Sequence, residues 1–198
     1  MLLKEALESE FAMGQESIRT PELAWAILTV TDPFPGSDHL LEAMTYLTDR
    51  HLGRRTRFES SLYGPYSPEV RDALDRWSDG DLLRFHTITG GSRYDFLDYG
   101  EISIHLQKAP ELVKYQPTPT PEELAAVGEV FGLLWAQKNW SSAAVVVAAD
   151  LCWAEEFDGN KRDISLREAV YALRWAGLTT EQREAGLALA QAFLDNLV

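Results

Sequence analysis

Nucleophiles, metal ligands and cations are the side chains of this chain with chemistry to offer. The single cysteine, Cys152, lies in Ala-Asp-Leu-Cys-Trp-Ala. A reactive thiol needs a cation or base beside it to hold the thiolate, so an apolar setting of this kind reads as a small buried hydrophobe. The four histidines (His39, His51, His86, His105) show no pairing at metal-ligand spacing, and no Cys-x-x-Cys occurs. His51 falls on an apolar helical stripe and reads as a packed, hydrogen-bonded side chain. Asp150 interrupts the apolar stretch 143–154, where it must be paired or reach the edge of a bundle. The cations concentrate in Asp49-Arg-His-Leu-Gly-Arg-Arg-Thr-Arg57, which sets Arg50, Arg54, Arg55 and Arg57 close together. Two uses fit such a cluster: a helix C-terminus with favourable cations and a solvated loop, or a partner-binding patch.

Phe157-Asp-Gly-Asn-Lys-Arg162 is similar to the tail of the Fic motif, in which a histidine is the base and the Asn and Arg hold phosphates. Here Glu155-Glu156 stands where the His-Pro would be, and the residue between Phe and Asp is missing. Without the base that chemistry has no proton acceptor, and a loop rich in turn formers accounts for the same residues. No glycine-rich loop of the P-loop or dinucleotide type occurs. The expectation is therefore no catalytic residue, no cofactor and no metal.

Eighteen basic residues face 31 acidic ones, for a net charge of −13, and the parts before and after residue 116 are both acidic. Nonspecific nucleic-acid affinity comes mostly from phosphate neutralisation, so nucleic acid is disfavoured as a partner. Hydrophobic residues at 45 % and charged residues at 25 % are ordinary globular usage. No apolar run reaches the 18 residues that suggest a membrane helix, and the first residues lack the basic-then-apolar pattern of a secretory signal. One cysteine excludes an internal disulfide and suits a reducing compartment. The composition points to a cytoplasmic protein without membrane association.

The elements that would position these side chains are legible from caps and spacing. Gln116-Pro-Thr-Pro-Thr-Pro121 marks a boundary, because alternating prolines favour extended backbone. Thr120-Pro-Glu-Glu123 is a capping box with proline at the first helical position. Ser141 caps a second helix, Ser165-Leu-Arg-Glu168 opens a third that Gly177 stops, and Thr179-Thr-Glu-Gln182 starts a fourth. Before the boundary, helices are expected over 2–13, from Thr20 to Val30, from Ser37 or Asp38 to near Gly53, and over 68–77 with Ser67 as cap. Strands follow at 82–89 and 102–106. The expectation is an α+β, mostly helical fold. Residues 1–115 form a winged-helix-like region with a small antiparallel sheet, 116–121 a Pro/Thr linker and 122–198 a four-helix region.

One ordered set of segments is more specific: Leu47-Thr-Asp-Arg50, then Leu62-Tyr-Gly-Pro-Tyr-Ser-Pro-Glu-Val70, then Asp79-Gly-Asp-Leu-Leu83. It resembles the Panacea (SocA-like) family and the related YwgA-type bacterial proteins over roughly residues 21–106, most closely in Tyr63-Gly-Pro-Tyr-Ser67. Residues 32–37 and 91–100 depart from it. The resemblance implies a protein that acts by binding another protein, as an antitoxin or a proteolytic adaptor does, and it implies no catalytic residues. The expected partner is a toxin or a regulated protein, with Tyr63, Tyr66, Arg54, Arg55 and Arg57 as the contact residues. A tight turn, a cap and two packed tyrosines would explain the same segment structurally. A DNA-binding regulator using the winged-helix-like region is the alternative function.

Overall fold

A computed structural model describes residues 19–34, 36–54, 56–61, 64–87, 102–107, 110–136, 141–157 and 178–196. The helices expected over 2–13 and from Ser165, Tyr63, Arg55 and most of the Fic-like segment lie outside the described residues. The fold is mostly helical, with short antiparallel pairings. In chain order it runs α1 (Thr20–Thr31), α2 (Asp38–His51), β1 (Glu59–Ser61), β2 (Gly64–Tyr66), α3 (Pro68–Asp79), β3 (Leu83–Thr87), β4 (Ile102–Leu106), a 3-10 turn (Pro110–Tyr115), α4 (Pro121–Ala136), α5 (Ser142–Phe157) and α6 (Thr180–Asn196). Among the described residues no helix is long and apolar enough to cross a membrane.

The helix starts follow from local chemistry. Thr120 Oγ1 accepts from the Glu123 N–H at 3.2 Å, while Glu123 Oε2 accepts from the Thr120 N–H at 2.7 Å. Thr179 and Gln182 repeat the exchange at 3.2 and 2.9 Å. Each exchange satisfies two backbone donors that a helix start leaves without a partner. Ser67 Oγ accepts from the Val70 N–H at 3.3 Å, and Pro68 suits the first turn of α3. The inner face of α3 is Val70, Ala73, Leu74 and Trp77, and Trp77 meets Trp25 of α1 edge-on at 4.9 Å.

Two hairpins hold register. Glu59 faces Tyr66 across β1–β2, a pairing the sequence did not announce because the strands are only three residues each. Phe85 faces Ile104 across β3–β4, and Phe34 extends that ladder by exchanging two backbone bonds with Ile104, at 2.9 and 3.0 Å. A single apolar cluster includes Leu23, Ile27, Leu41, Leu47, Val127, Val146 and Phe193, so helices on both sides of 116–121 share it. At its centre α5 is buried from Ala143 to Ala149, and α6 lies along it. Gly186 permits that approach: a Cβ there would come within 2.5 Å of Val147 Cγ1 and 3.2 Å of the Ala144 carbonyl.

The core is not wholly apolar. On α2, Thr45 and Thr48 are buried and donate to the carbonyls of Leu41 and Met44, each at 2.7 Å, which removes the cost of burying their hydroxyls. Asp49 is fully buried; it accepts from Thr56 Oγ1 at 2.6 Å and from Arg50 Nη1 at 2.5 Å. Arg50 also donates to Glu156 of α5 and to the Thr56 carbonyl. Its guanidinium lies over the rings of Tyr46 and Phe58, 4.7 and 5.5 Å from their centroids.

Two stability measurements check this account. Ser67→Ala should lower stability by about 1 kcal/mol, the usual loss for an N-cap; an unchanged urea midpoint would mean that Ser67 does not cap α3. Arg50→Ala leaves Asp49 buried without its cation and should cost about 3–5 kcal/mol, read from the same transition. A loss no larger than that of a surface substitution would show that Asp49 finds another partner.

Candidate functional site

Of the contact residues that the sequence nominates, Tyr66 lies on β2 and Arg54 and Arg57 lie in the segment before β1, while Tyr63 and Arg55 lie outside the described residues. Tyr66 is half-buried and its hydroxyl donates to Glu59 Oε2 at 3.0 Å. Glu59 Oε1 lies 3.7 Å from the guanidinium of Arg57, whose side chain is 87 % exposed. One carboxylate therefore holds Tyr66 and Arg57 on the same hairpin. The bond to Glu59 keeps the proton on Tyr66 and raises its phenol above the usual range.

Arg54 is turned elsewhere. Both its terminal nitrogens reach Glu123 Oε1, at 3.1 and 3.2 Å. Arg19 binds the same carboxylate through Nε at 2.9 Å and Nη2 at 2.8 Å. Burial alone would raise the Glu123 carboxyl, but the Arg19 bonds, the Thr120 N–H and Arg54 outweigh it and hold the group below its ordinary range. A cation committed this way ties the segment after α2 to the start of α4 and is withdrawn from the hairpin face.

Arg71 of α3 is about one-third exposed and spans two carboxylates of α2: Asp38 at 3.1 Å, and Glu42 at 3.0 Å from Nη2 and 3.1 Å from Nε. It lies close enough to Tyr66 to act on the phenol's charge. The sequence signal was present: Asp38 and Glu42 share a helix face at i, i+4, and Arg71 interrupts an acidic helix. What the sequence hides is that α2 and α3 bring them together. The Glu42 side chain is 2 % exposed. Burial raises its carboxyl to about 7, with Arg71 opposing and Asp38 adding to the shift. Desolvation outweighs the ion pair here, as it commonly does for buried partners.

The other candidates resolve more simply. Cys152 is buried, its thiol pushed up to about 12 by burial and then by Glu156 and Glu155, which removes it from thiolate chemistry near neutral pH. His51 is paired with Glu129 at 2.6 Å. Among the described residues no group of three or more His, Cys, Asp or Glu side chains is placed to hold a metal ion.

The Glu42 environment gives a pH dependence with a definite sign. The folded chain holds the Glu42 proton to about pH 7, whereas the free side chain releases it near 4.5. Stability from this group is therefore fully present below about pH 4.5 and falls as pH rises through about 7. Relative to Glu42→Gln, the wild type should lose at most about 1.4 kcal/mol per pH unit across that window and run parallel above it. Urea unfolding at a series of pH values measures this; a constant difference across the window would show that Arg71 keeps Glu42 ionised throughout.

No family model matches this chain, and no curated protein matches it.

Proposed function

We propose that this chain is a non-enzymatic protein-binding module, antitoxin-like or proteolytic-adaptor-like, that meets its partner through the β1–β2 hairpin. The observation that carries the reading is Arg57, 87 % exposed beside a tyrosine whose hydroxyl is already oriented by Glu59. Tyrosine and arginine dominate the energetic centres of protein interfaces, and a ring held in place loses less conformational freedom on binding. Tyr63 belongs to the proposed contact set through its place in the Panacea/YwgA-type segment and Arg55 through its place in the arginine cluster that precedes it, while Arg54 acts behind the face through Glu123. With a net charge of −13, the chain favours a basic partner, for which complementary charge raises the association rate.

A DNA-binding regulator is the rival reading, since α2, α3 and the β3–β4 hairpin follow a winged-helix-like order. The outer face of α3 opposes it. Glu69, Asp72, Asp75 and Asp79 are exposed there against Arg76, and Arg71 is engaged by Asp38 and Glu42. A recognition helix needs donors for phosphates and base edges, and this one presents carboxylates.

Recovery of the tagged chain from its host, with mass spectrometry of the proteins that accompany it, supplies the partner for a calorimetric titration. Arg57→Ala should weaken that complex by about 2 kcal/mol, roughly 30-fold, with an unchanged urea midpoint. Tyr66→Ala should weaken it at least as much. Wild-type affinity in both variants would remove the hairpin from the interface. Submicromolar, sequence-selective binding to duplex DNA at about 0.15 M salt would put the regulator reading ahead.

A further inference from the structure

The β3–β4 hairpin has an inner and an outer face. Leu83 and Ile104 point into the core, so alternation places Arg84, His86, Ser103 and His105 on the opposite face. In the register Arg84 pairs with His105 and His86 with Ser103, which makes His86 and His105 diagonal neighbours. Their ring centroids lie 4.4 Å apart at an interplanar angle of 61°. Nothing in the linear order of the histidines suggests this pair, because the two come from different strands.

We infer that His86 and His105 form a cross-strand binding site for a divalent transition metal of tetragonal preference, Ni²⁺ or Cu²⁺. The ring separation is the first support. A metal about 2.1 Å from one nitrogen of each imidazole lies about 3.2 Å from each ring centroid. Two ligands at roughly a right angle then put the centroids about 4.5 Å apart, and a tetrahedral angle puts them about 5.2 Å apart. The observed 4.4 Å matches the right angle, which belongs to square-planar or tetragonal coordination of Cu²⁺ or Ni²⁺ by nitrogen and oxygen.

Ser103 is the second support. Its Oγ lies 2.8 Å from His105 Nε2; in the tautomer in which Nε2–H donates to that oxygen, Nδ1 carries the lone pair a metal would take. A ligating histidine is commonly fixed in this way through its other nitrogen. His86 is exposed, so an ion can reach its ring from solvent. Two protein ligands are fewer than a closed zinc site uses, so water completes the coordination sphere. Arg84, opposite His105, lies 3.6 Å from Asp81, which offsets its repulsion of a cation. This site is on a different hairpin from the proposed protein contact, and neither inference depends on the other.

The test is a titration of the full chain, without a histidine tag, with Cu²⁺ and with Ni²⁺ in chelator-free buffer. Calorimetry gives the affinity, and electron paramagnetic resonance of the Cu²⁺ complex gives the ligands. The expected result is one saturable site whose spectrum shows two imidazole nitrogens. His86→Ala and His105→Ala should each weaken binding at least tenfold, and Ser103→Ala about tenfold, the lower end for loss of such a supporting bond. His51→Ala should leave it unchanged. His86→Gln, which keeps a polar side chain of similar size on the strand, separates loss of the ligand from disturbance of the hairpin. Absence of saturable binding overturns the inference. Wild-type affinity in either folded histidine variant, or a spectrum with one nitrogen, does so as well.

Discussion

Arg50 is a cation placed where water cannot serve it, and the surrounding structure is arranged around its needs. Its side chain is 8 % exposed. A guanidinium so desolvated must fill its donors, and it does so with Asp49 beside it, Glu156 from α5 and the Thr56 carbonyl from the segment leading to β1. The rings of Tyr46 and Phe58 add cation–π attraction and meet each other edge-on at 5.2 Å. One side chain thus fixes the end of α2 against the end of α5 and sets where the β1–β2 hairpin begins. Apolar packing is tolerant of small slides; a buried ion pair is not, because a displaced partner leaves a bare charge behind.

The same device recurs at two further junctions. Glu123 receives Arg19 from the residue before α1 and Arg54 from the segment after α2, so the start of α4 is held from two sides. Arg71 receives two carboxylates of α2 on behalf of α3. These pairs differ in their balance. Glu123 has enough donors to remain below its ordinary pKa, whereas burial raises Glu42 to about 7 against an arginine that it shares with Asp38. The α2–α3 junction therefore holds a carboxyl that titrates near neutral pH, and it adjoins Tyr66 on the proposed contact face.

Division of labour among the arginines shapes that face. A cluster close in sequence suggests one positive patch, but Arg50 is spent on the core and Arg54 on α4, leaving Arg57 in solvent. Glu59 then joins Arg57 to Tyr66 across the hairpin. Among the described residues, the surface there is a small mixed-charge, aromatic edge on a strongly acidic chain.

Local chemistry by itself determined much of this protein. The caps at Ser67, Thr120 and Thr179 act within three or four residues, so their spacing already specifies where α3, α4 and α6 start. Val70, Ala73, Leu74 and Trp77 recur with the helical period, and the face they bury was readable for the same reason. The α+β, mostly helical character follows from these signals together with the alternation in β4. The tertiary structure alone decided which charges meet. Arg54 and Arg57 are equivalent in the sequence, and only the position of α4 gives Glu123 to one and leaves the other exposed. Arg71 finds Asp38 and Glu42, and His86 finds His105, because helices and strands distant in the chain are brought side by side. Periodicity records which way a side chain faces along its own element; which partner it meets is set by the packing of one element on another.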